Sequence, residues 1–133
     1  MYSIDTLYVI DDDDTFQFLA GEVIKSTEIV NNICYFSNGA EAINFLESIK
    51  DHPEKLPEVI FLDLFMPVMD GWGFLREYTS LKPRLNKKIK LYILSSSIDP
   101  ADMERSKAIS EVTDFIIKPI TRDKFLNMLK KCC

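Results

Sequence analysis

The chain has 133 residues, 47% of them apolar and 28% charged, with a formal net charge of −5 and a sequence pI near 4.9. That is enough for one domain with a real core, too short for two, and too apolar for a disordered segment. An acidic domain gains nothing from counterion release, so nucleic acid is not expected as a direct partner. No apolar run approaches the ~20 residues that span a bilayer, so no membrane partner is expected either.

The opening Met1-Tyr2-Ser3-Ile4-Asp5 has neither the basic start nor the apolar core of an export signal. Thr6-Leu7-Tyr8-Val9-Ile10 reads as the first strand and ends in Asp11-Asp12-Asp13-Asp14. Asp14 or Asp13 can cap the helix that follows, whose Phe16, Leu19, Ala20, Val23 and Ile24 form one apolar stripe. Ile33-Cys34-Tyr35-Phe36 is a second strand. Ser37-Asn38-Gly39 breaks it and starts a helix with Ala42, Ile43, Leu46 and Ile49 on one side. Residues 50–58 are polar, hold Pro53 and Pro57, and read as a surface loop. Val59-Ile60-Phe61-Leu62 is a continuous apolar run, as expected of a strand buried on both faces, and it runs straight into Asp63.

Residues 72–81 read as a third helix, stopped by Pro83, and residues 85–90 as a basic connector. Leu91-Tyr92-Ile93-Leu94 is the fourth strand and ends in three serines from Ser95. Pro100 opens a polar fourth helix to about Ser110, with a thin stripe of Met103, Ala108 and Ile109. Phe115-Ile116-Ile117 is the fifth strand, ending in Lys118-Pro119. Thr121 caps a last helix with Phe125, Leu126 and Leu129 inward. Of the three cysteines, Cys34 is expected in the core, and Cys132 and Cys133 are expected to form a reduced tail in a cytoplasmic protein.

Strand and helix alternate five times, which implies a parallel sheet with helices on both faces. Right-handed crossovers leave few topologies, and the flavodoxin-like order 2-1-3-4-5 is expected. Ligands then bind at the carboxyl ends of the strands, beside strands one and three. The residues at those ends are Asp11, Asp12, Asp63, Ser95 and Lys118. Three neighbouring carboxylates cannot all stay ionised without a counter-charge, and a hard divalent cation such as Mg2+ supplies one. A lysine and a hydroxyl nearby are donors for phosphoryl oxygens, and carboxylates are known nucleophiles toward phosphate. The pattern points to a carboxylate that accepts a phosphoryl group.

The chain resembles the receiver domain of two-component response regulators, of the stand-alone chemotaxis type. The matching pieces are Val9-Ile10-Asp11-Asp12, Asp63-x-x-Met66-Pro67-x-Met69-Asp70-Gly71, Leu94-Ser95-Ser96 and Phe115-Ile116-Ile117-Lys118-Pro119. The resemblance implies one receiver domain over 1–133 with no output domain. It implies phosphorylation of Asp63 by a histidine kinase or a histidine phosphotransfer protein. It implies Mg2+ held by Asp12, Asp63 and the backbone carbonyl of Phe65, with Asp11 helping through water. Ser95 takes the switch hydroxyl position, Lys118 contacts a phosphoryl oxygen across a cis Lys118-Pro119 bond, and Phe115 takes the aromatic switch position. A downstream protein would read the face of helix four, strand five and helix five, or phosphate would pass onward in a relay. Such a domain catalyses only its own phosphorylation and dephosphorylation. Phe65 is bulkier than the family's usual residue there, which bears on water access and phosphoryl lifetime.

Two alternatives stand beside this. Asp11-x-Asp13-x-Thr15 also fits the nucleophile motif of haloacid-dehalogenase-like phosphatases, with Asp11 as nucleophile and Asp13 as general acid/base. That reading leaves the Asp63 stretch without a task and lacks a later acidic pair beyond Lys118. The other is a receiver-like binding module that is never phosphorylated.

Overall fold

The computed structural model describes residues 3–132, with side chains up to Lys130, so the expected Cys132-Cys133 tail lies outside the described side chains. The apolar runs become five strands: β1 (Ile4–Ile10), β2 (Val30–Phe36), β3 (Val59–Leu62), β4 (Lys90–Ser95) and β5 (Val112–Ile117). Between and after them lie α1 (Asp14–Ser26), α2 (Gly39–Ser48), α3 (Gly71–Leu81), α4 (Pro100–Lys107) and α5 (Arg122–Cys132). All pairings are parallel and the order is β2-β1-β3-β4-β5, the flavodoxin-like arrangement expected from the alternation. β3 is central and buried at every position, which is why its sequence shows no polar alternation.

Each face of the sheet has its own core. One is built on Tyr8, Ile10, Ile60, Leu62, Leu91 and Ile93 with α2 and α3. The other is built on Leu7, Val9, Phe61, Tyr92 and Leu94 with α1 and α5. In the second, Phe61 meets Tyr92 and Phe125 edge-on, each at 6.0 Å between ring centroids. Such pairs add roughly 0.5–1.5 kcal/mol each beyond their buried area.

Helix starts follow their caps. Asp13, one of the two expected candidates, accepts from the Phe16 amide at the start of α1. Asn38 accepts from Glu41, Asp70 from Gly73, and Asp99 from Ala101. Each leaves an otherwise orphaned helix-end amide satisfied. The Thr121 hydroxyl accepts from the Lys124 amide, as expected.

Several details differ from the sequence expectations. β1, β2 and β5 begin two or three residues earlier, because their ladder bonds extend past the apolar stretch. α4 stops at Lys107, three residues short of Ser110, and its buried residue is Ser106. Leu19, expected inward, is 56% exposed, and the tight α1 contact is made by Gly21, where a β-carbon would overlap the Tyr35 ring and hydroxyl. In α5 the buried partners of Phe125 are Met128 and Leu129, with Leu126 only half-buried. The polar connectors also hold core residues: Leu56, Leu85 and Ile89 are buried. In the basic connector, the Lys87 ammonium lies 2.6 Å from Glu58 and donates to the Leu56 carbonyl.

The Tyr78 hydroxyl is buried between α3 and the sheet without a hydrogen-bond partner, and burial raises its pKa. An unsatisfied buried hydroxyl costs roughly 1–3 kcal/mol, so Tyr78→Phe is expected to raise the urea midpoint. A midpoint lowered by the substitution would show that the hydroxyl has a partner.

Candidate functional site

The sheet register assembles the site. Ile10 pairs with Leu62, so the next residues, Asp11 and Asp63, emerge side by side, and the Asp63 amide donates to the Ile10 carbonyl at 2.9 Å. Ser95 pairs with Ile117, and the Lys118 amide donates to the Ser95 carbonyl at 2.9 Å. The ends of β1, β3, β4 and β5 thus lie along one edge of the sheet, and those of β1, β3 and β5 bring their side chains together. One oxygen from each of Asp11, Asp12 and Asp63 lies within 4.8 Å of the others. The Lys118 ammonium stands 2.7 Å from Asp11 Oδ2 and 3.5 Å from Asp63 Oδ1.

The three carboxylates differ in surroundings. Asp11 is 2% exposed and both its oxygens are engaged, Oδ1 by the Asp13 amide at 2.9 Å and Oδ2 by Lys118. Asp12 is exposed. Asp63 is 8% exposed, and its pKa is pushed up to about 6. Burial is the main cause and the Asp11 carboxylate the second, against the pull of Lys118 and the Leu64 amide. One ammonium does not neutralise three carboxylates, so the cluster favours further positive charge or a proton. The donor set consists of hard oxygens, which suits a hard divalent cation.

Ser95 is fully buried at the end of β4, and its hydroxyl accepts from the Ser97 amide at 3.1 Å. Ser97 in turn donates to Asp102 in the first turn of α4 at 2.7 Å. Phe115 is half-buried against the core under α2 and α3. Phe65 lies two residues past Asp63 with its side chain 56% exposed. The Lys118-Pro119 bond is cis, as the resemblance implied.

Three residues support the site in ways not assigned from the sequence, which named Phe16 only in the α1 stripe and Gly71 only in the matching motif. The Gln17 amide donates to the Asp11 carbonyl at 2.7 Å and the Phe36 carbonyl at 3.1 Å, tying α1 to the ends of β1 and β2. Gly71 packs so closely that a β-carbon would sit 2.4 Å from the Asp63 carbonyl oxygen. Phe16 places its ring 4.1 Å from the Lys118 ammonium. These roles had no local signal, since each depends on a contact with a residue outside its own helix.

The loop leaving Asp63 carries strain. Val68 has φ 67° and sits at the centre of a γ-turn closed by the Met69 amide on the Pro67 carbonyl at 2.8 Å. A β-branched residue there is costly. Glycine removes the clash but adds chain entropy to the unfolded state, so Val68→Gly is expected to stabilise by about 0.5–1 kcal/mol. Equilibrium urea unfolding checks this, and destabilisation would contradict it.

Asp13, the general acid/base of the phosphatase alternative, has a structural task. The Asp13 carboxylate caps α1, accepting from the Phe16 amide at 3.1 Å. It is not among the carboxylates gathered with Asp63.

The family model for the response regulator receiver domain matches residues 7–130. The chain is 29% identical over 125 residues to the chemotaxis protein CheY of Listeria monocytogenes, a match covering 94% of this chain and 95% of that one. It is 32% identical to a two-component response regulator of Cytophaga hutchinsonii, with a TM-score of 0.87 over 97% of this chain and 96% of the other. A Borrelia burgdorferi structure containing CheX, CheY, BeF3 and magnesium shares the fold, with a TM-score of 0.76 over 96% of this chain and 88% of the other, at 21% identity. The class defined by fold and site is a signalling module of two-component systems. This chain belongs to the response regulator receiver domain family, whose members bind Mg2+ at an acidic cluster of the kind formed by Asp11, Asp12 and Asp63.

Proposed function

We propose that Asp63 is the phosphoacceptor, taking a phosphoryl group from a phosphohistidine on a histidine kinase or histidine phosphotransfer protein. The carrying observation is the convergence of Asp63 with two further carboxylates and one ammonium at the carboxyl end of the sheet. An Asp63 oxygen attacks phosphorus, the phosphorus–nitrogen bond breaks, and the imidazole departs. Lys118 bonds a phosphoryl oxygen, and Ser95 donates to another once the group is in place.

The residues fit Mg2+. Asp12, Asp63 and the Phe65 carbonyl would hold it, with Asp11 acting through water because both its oxygens already accept from the protein. The bound cation supplies the charge that lets an anionic phosphoryl group approach an anionic carboxylate.

Readout follows from the Ser95 connection. Recruiting Ser95 to the phosphoryl group disturbs the Ser95–Ser97–Asp102 chain that reaches α4, and Phe115 turns into the space released. A protein partner then reads α4, β5 and α5. Phe65, two residues past the acceptor, slows water and lengthens the phosphoryl lifetime. The chain acts on no substrate other than its own acceptor. The free thiol of Cys34 suits the cytoplasm.

Incubation with Mg2+ and phosphoramidate, followed by intact mass, tests the reading. One phosphoryl group is expected, on the peptide holding Asp63 and only with the cation. Phosphate on Asp11, together with turnover of phosphomonoesters, would overturn it, as would no uptake from either phosphoramidate or a phosphohistidine donor.

A further inference from the structure

We infer that Phe16 is a positioning residue for Lys118, holding the ammonium by a cation–π contact at the place where it serves the acceptor. The inference rests on the reading of Lys118 as the phosphoryl-contacting cation.

Lys118 has three N–H donors and two polar partners in reach. One carboxylate, Asp11, is at a full hydrogen-bond distance of 2.7 Å, while Asp63 at 3.5 Å is too far for a good one. The lysine side chain is only 17% exposed, so little water completes its shell. The Phe16 ring covers the ammonium, with Nζ 4.1 Å from the centroid, within the range of a cation–π attraction.

The ring is itself fixed. The Phe16 amide is held by the Asp13 cap at 3.1 Å, and its side chain packs against the core under α1 and α5. The next residue, Gln17, is bonded to the Asp11 carbonyl. The first turn of α1 therefore carries one side chain that locks the Asp11 backbone and one that locks the cation paired with Asp11.

A cation–π contact suits this task. Hydrogen bonds are directional, but attraction to a ring face changes little when the ammonium slides sideways. Lys118 can leave the Asp11 carboxylate for a phosphoryl oxygen on Asp63 while the same ring face holds it. An aliphatic side chain at position 16 would fill the space but hold no charge. During the shift the ammonium would lose one partner before gaining the next.

The test replaces Phe16 with mono-, di- and trifluorophenylalanine, which withdraw charge from the ring face at nearly constant shape. Phe16→Leu and Phe16→Trp complete the series. The readout is the rate of Asp63 phosphorylation by phosphoramidate with saturating Mg2+, measured in wild-type and Lys118→Met backgrounds. A stepwise fall with each fluorine is expected, with Phe16→Leu slower by roughly 5–30-fold and Phe16→Trp at or near the wild-type rate. In the Lys118→Met background the fluorines should change nothing.

Equal rates across the fluorinated series, with Lys118→Met slow, would overturn the inference and leave the role of Lys118 intact. A Lys118→Met variant as fast as wild type would overturn the underlying reading of Lys118 instead. A fluorine dependence that persists without Lys118 would show that the ring acts only through packing.

Discussion

Asp63→Asn is expected to take up no phosphate from phosphoramidate or a phosphohistidine donor, and to be more stable than the wild type at pH 7.5 without Mg2+. The first effect follows from removing the nucleophilic oxygen. The second follows from the electrostatics of the pocket. Asp63 has a folded pKa raised from 3.8 to about 6 by burial and by Asp11. Between about pH 4 and 6 the folded protein therefore holds a proton that the unfolded chain has lost. Stability from this group is fully present below the unfolded pKa and is lost as pH rises through the folded one. At pH 7.5 the ionised Asp63 is a burden, and the neutral amide removes it, for a gain of about 1–3 kcal/mol.

Adding Mg2+ reverses the comparison. A cation that binds the folded site stabilises the wild type in proportion to its occupancy, and the variant, one carboxylate poorer, gains less. Urea unfolding of both proteins from pH 4 to 8, with and without Mg2+, measures this. Wild-type stability that rises through pH 4–6 in metal-free buffer relative to Asp63→Asn would contradict the pocket description. Unchanged phosphoryl uptake in the variant would remove Asp63 from the acceptor role.

Gly71→Ala is expected to cost about 2–4 kcal/mol and to slow phosphorylation at least 10-fold. The added carbon would stand 2.4 Å from the Asp63 carbonyl oxygen and 2.7 Å from the Leu64 α-carbon, both backbone atoms that cannot rotate away. The Gly71 amide also donates to the Leu64 carbonyl at 2.8 Å, so strand end and helix start are held as one unit. Forcing them apart displaces Asp63 relative to Lys118 and Asp11. Gly73→Ala is the control, since its β-carbon would meet the movable Met69 side chain at 2.9 Å. That contact can relax, and alanine is the better helix former, so the net change there should be small. Equal stability and equal phosphorylation rates for the two variants would refute a special role for Gly71.

Some of this was visible before any fold existed. The all-apolar run of β3 marked a central strand, because a strand covered on both faces admits no polar alternation. Alternating strands and helices left few topologies, and chain connectivity then set which carboxyl ends lie together. Asp63, Asp11, Asp12, Ser95 and Lys118 could be selected because each directly follows an apolar strand. The caps at Asp13 and Thr121 are local and were readable, whereas Asn38 and Asp70 were recognised as caps only in the structure. Less visible were the inward and outward choices on α1, where Leu19 fits the periodicity yet faces solvent because Gly21 lets the helix lie close to Tyr35. Likewise Leu56, Leu85 and Ile89 sit in polar stretches and are buried by what surrounds them.

The sequence by itself determined the type of fold, the residues that could do chemistry and their placement at one edge of a parallel sheet, since these depend on local periodicity and connectivity. The tertiary structure decided how those residues differ. It engaged both Asp11 oxygens, buried Asp63 beside a like charge, set Lys118 under the Phe16 ring and pressed Gly71 against the acceptor's own backbone. Those properties arise from contacts between segments far apart in the chain, where a fraction of an ångström in packing sets charge, reach and strain.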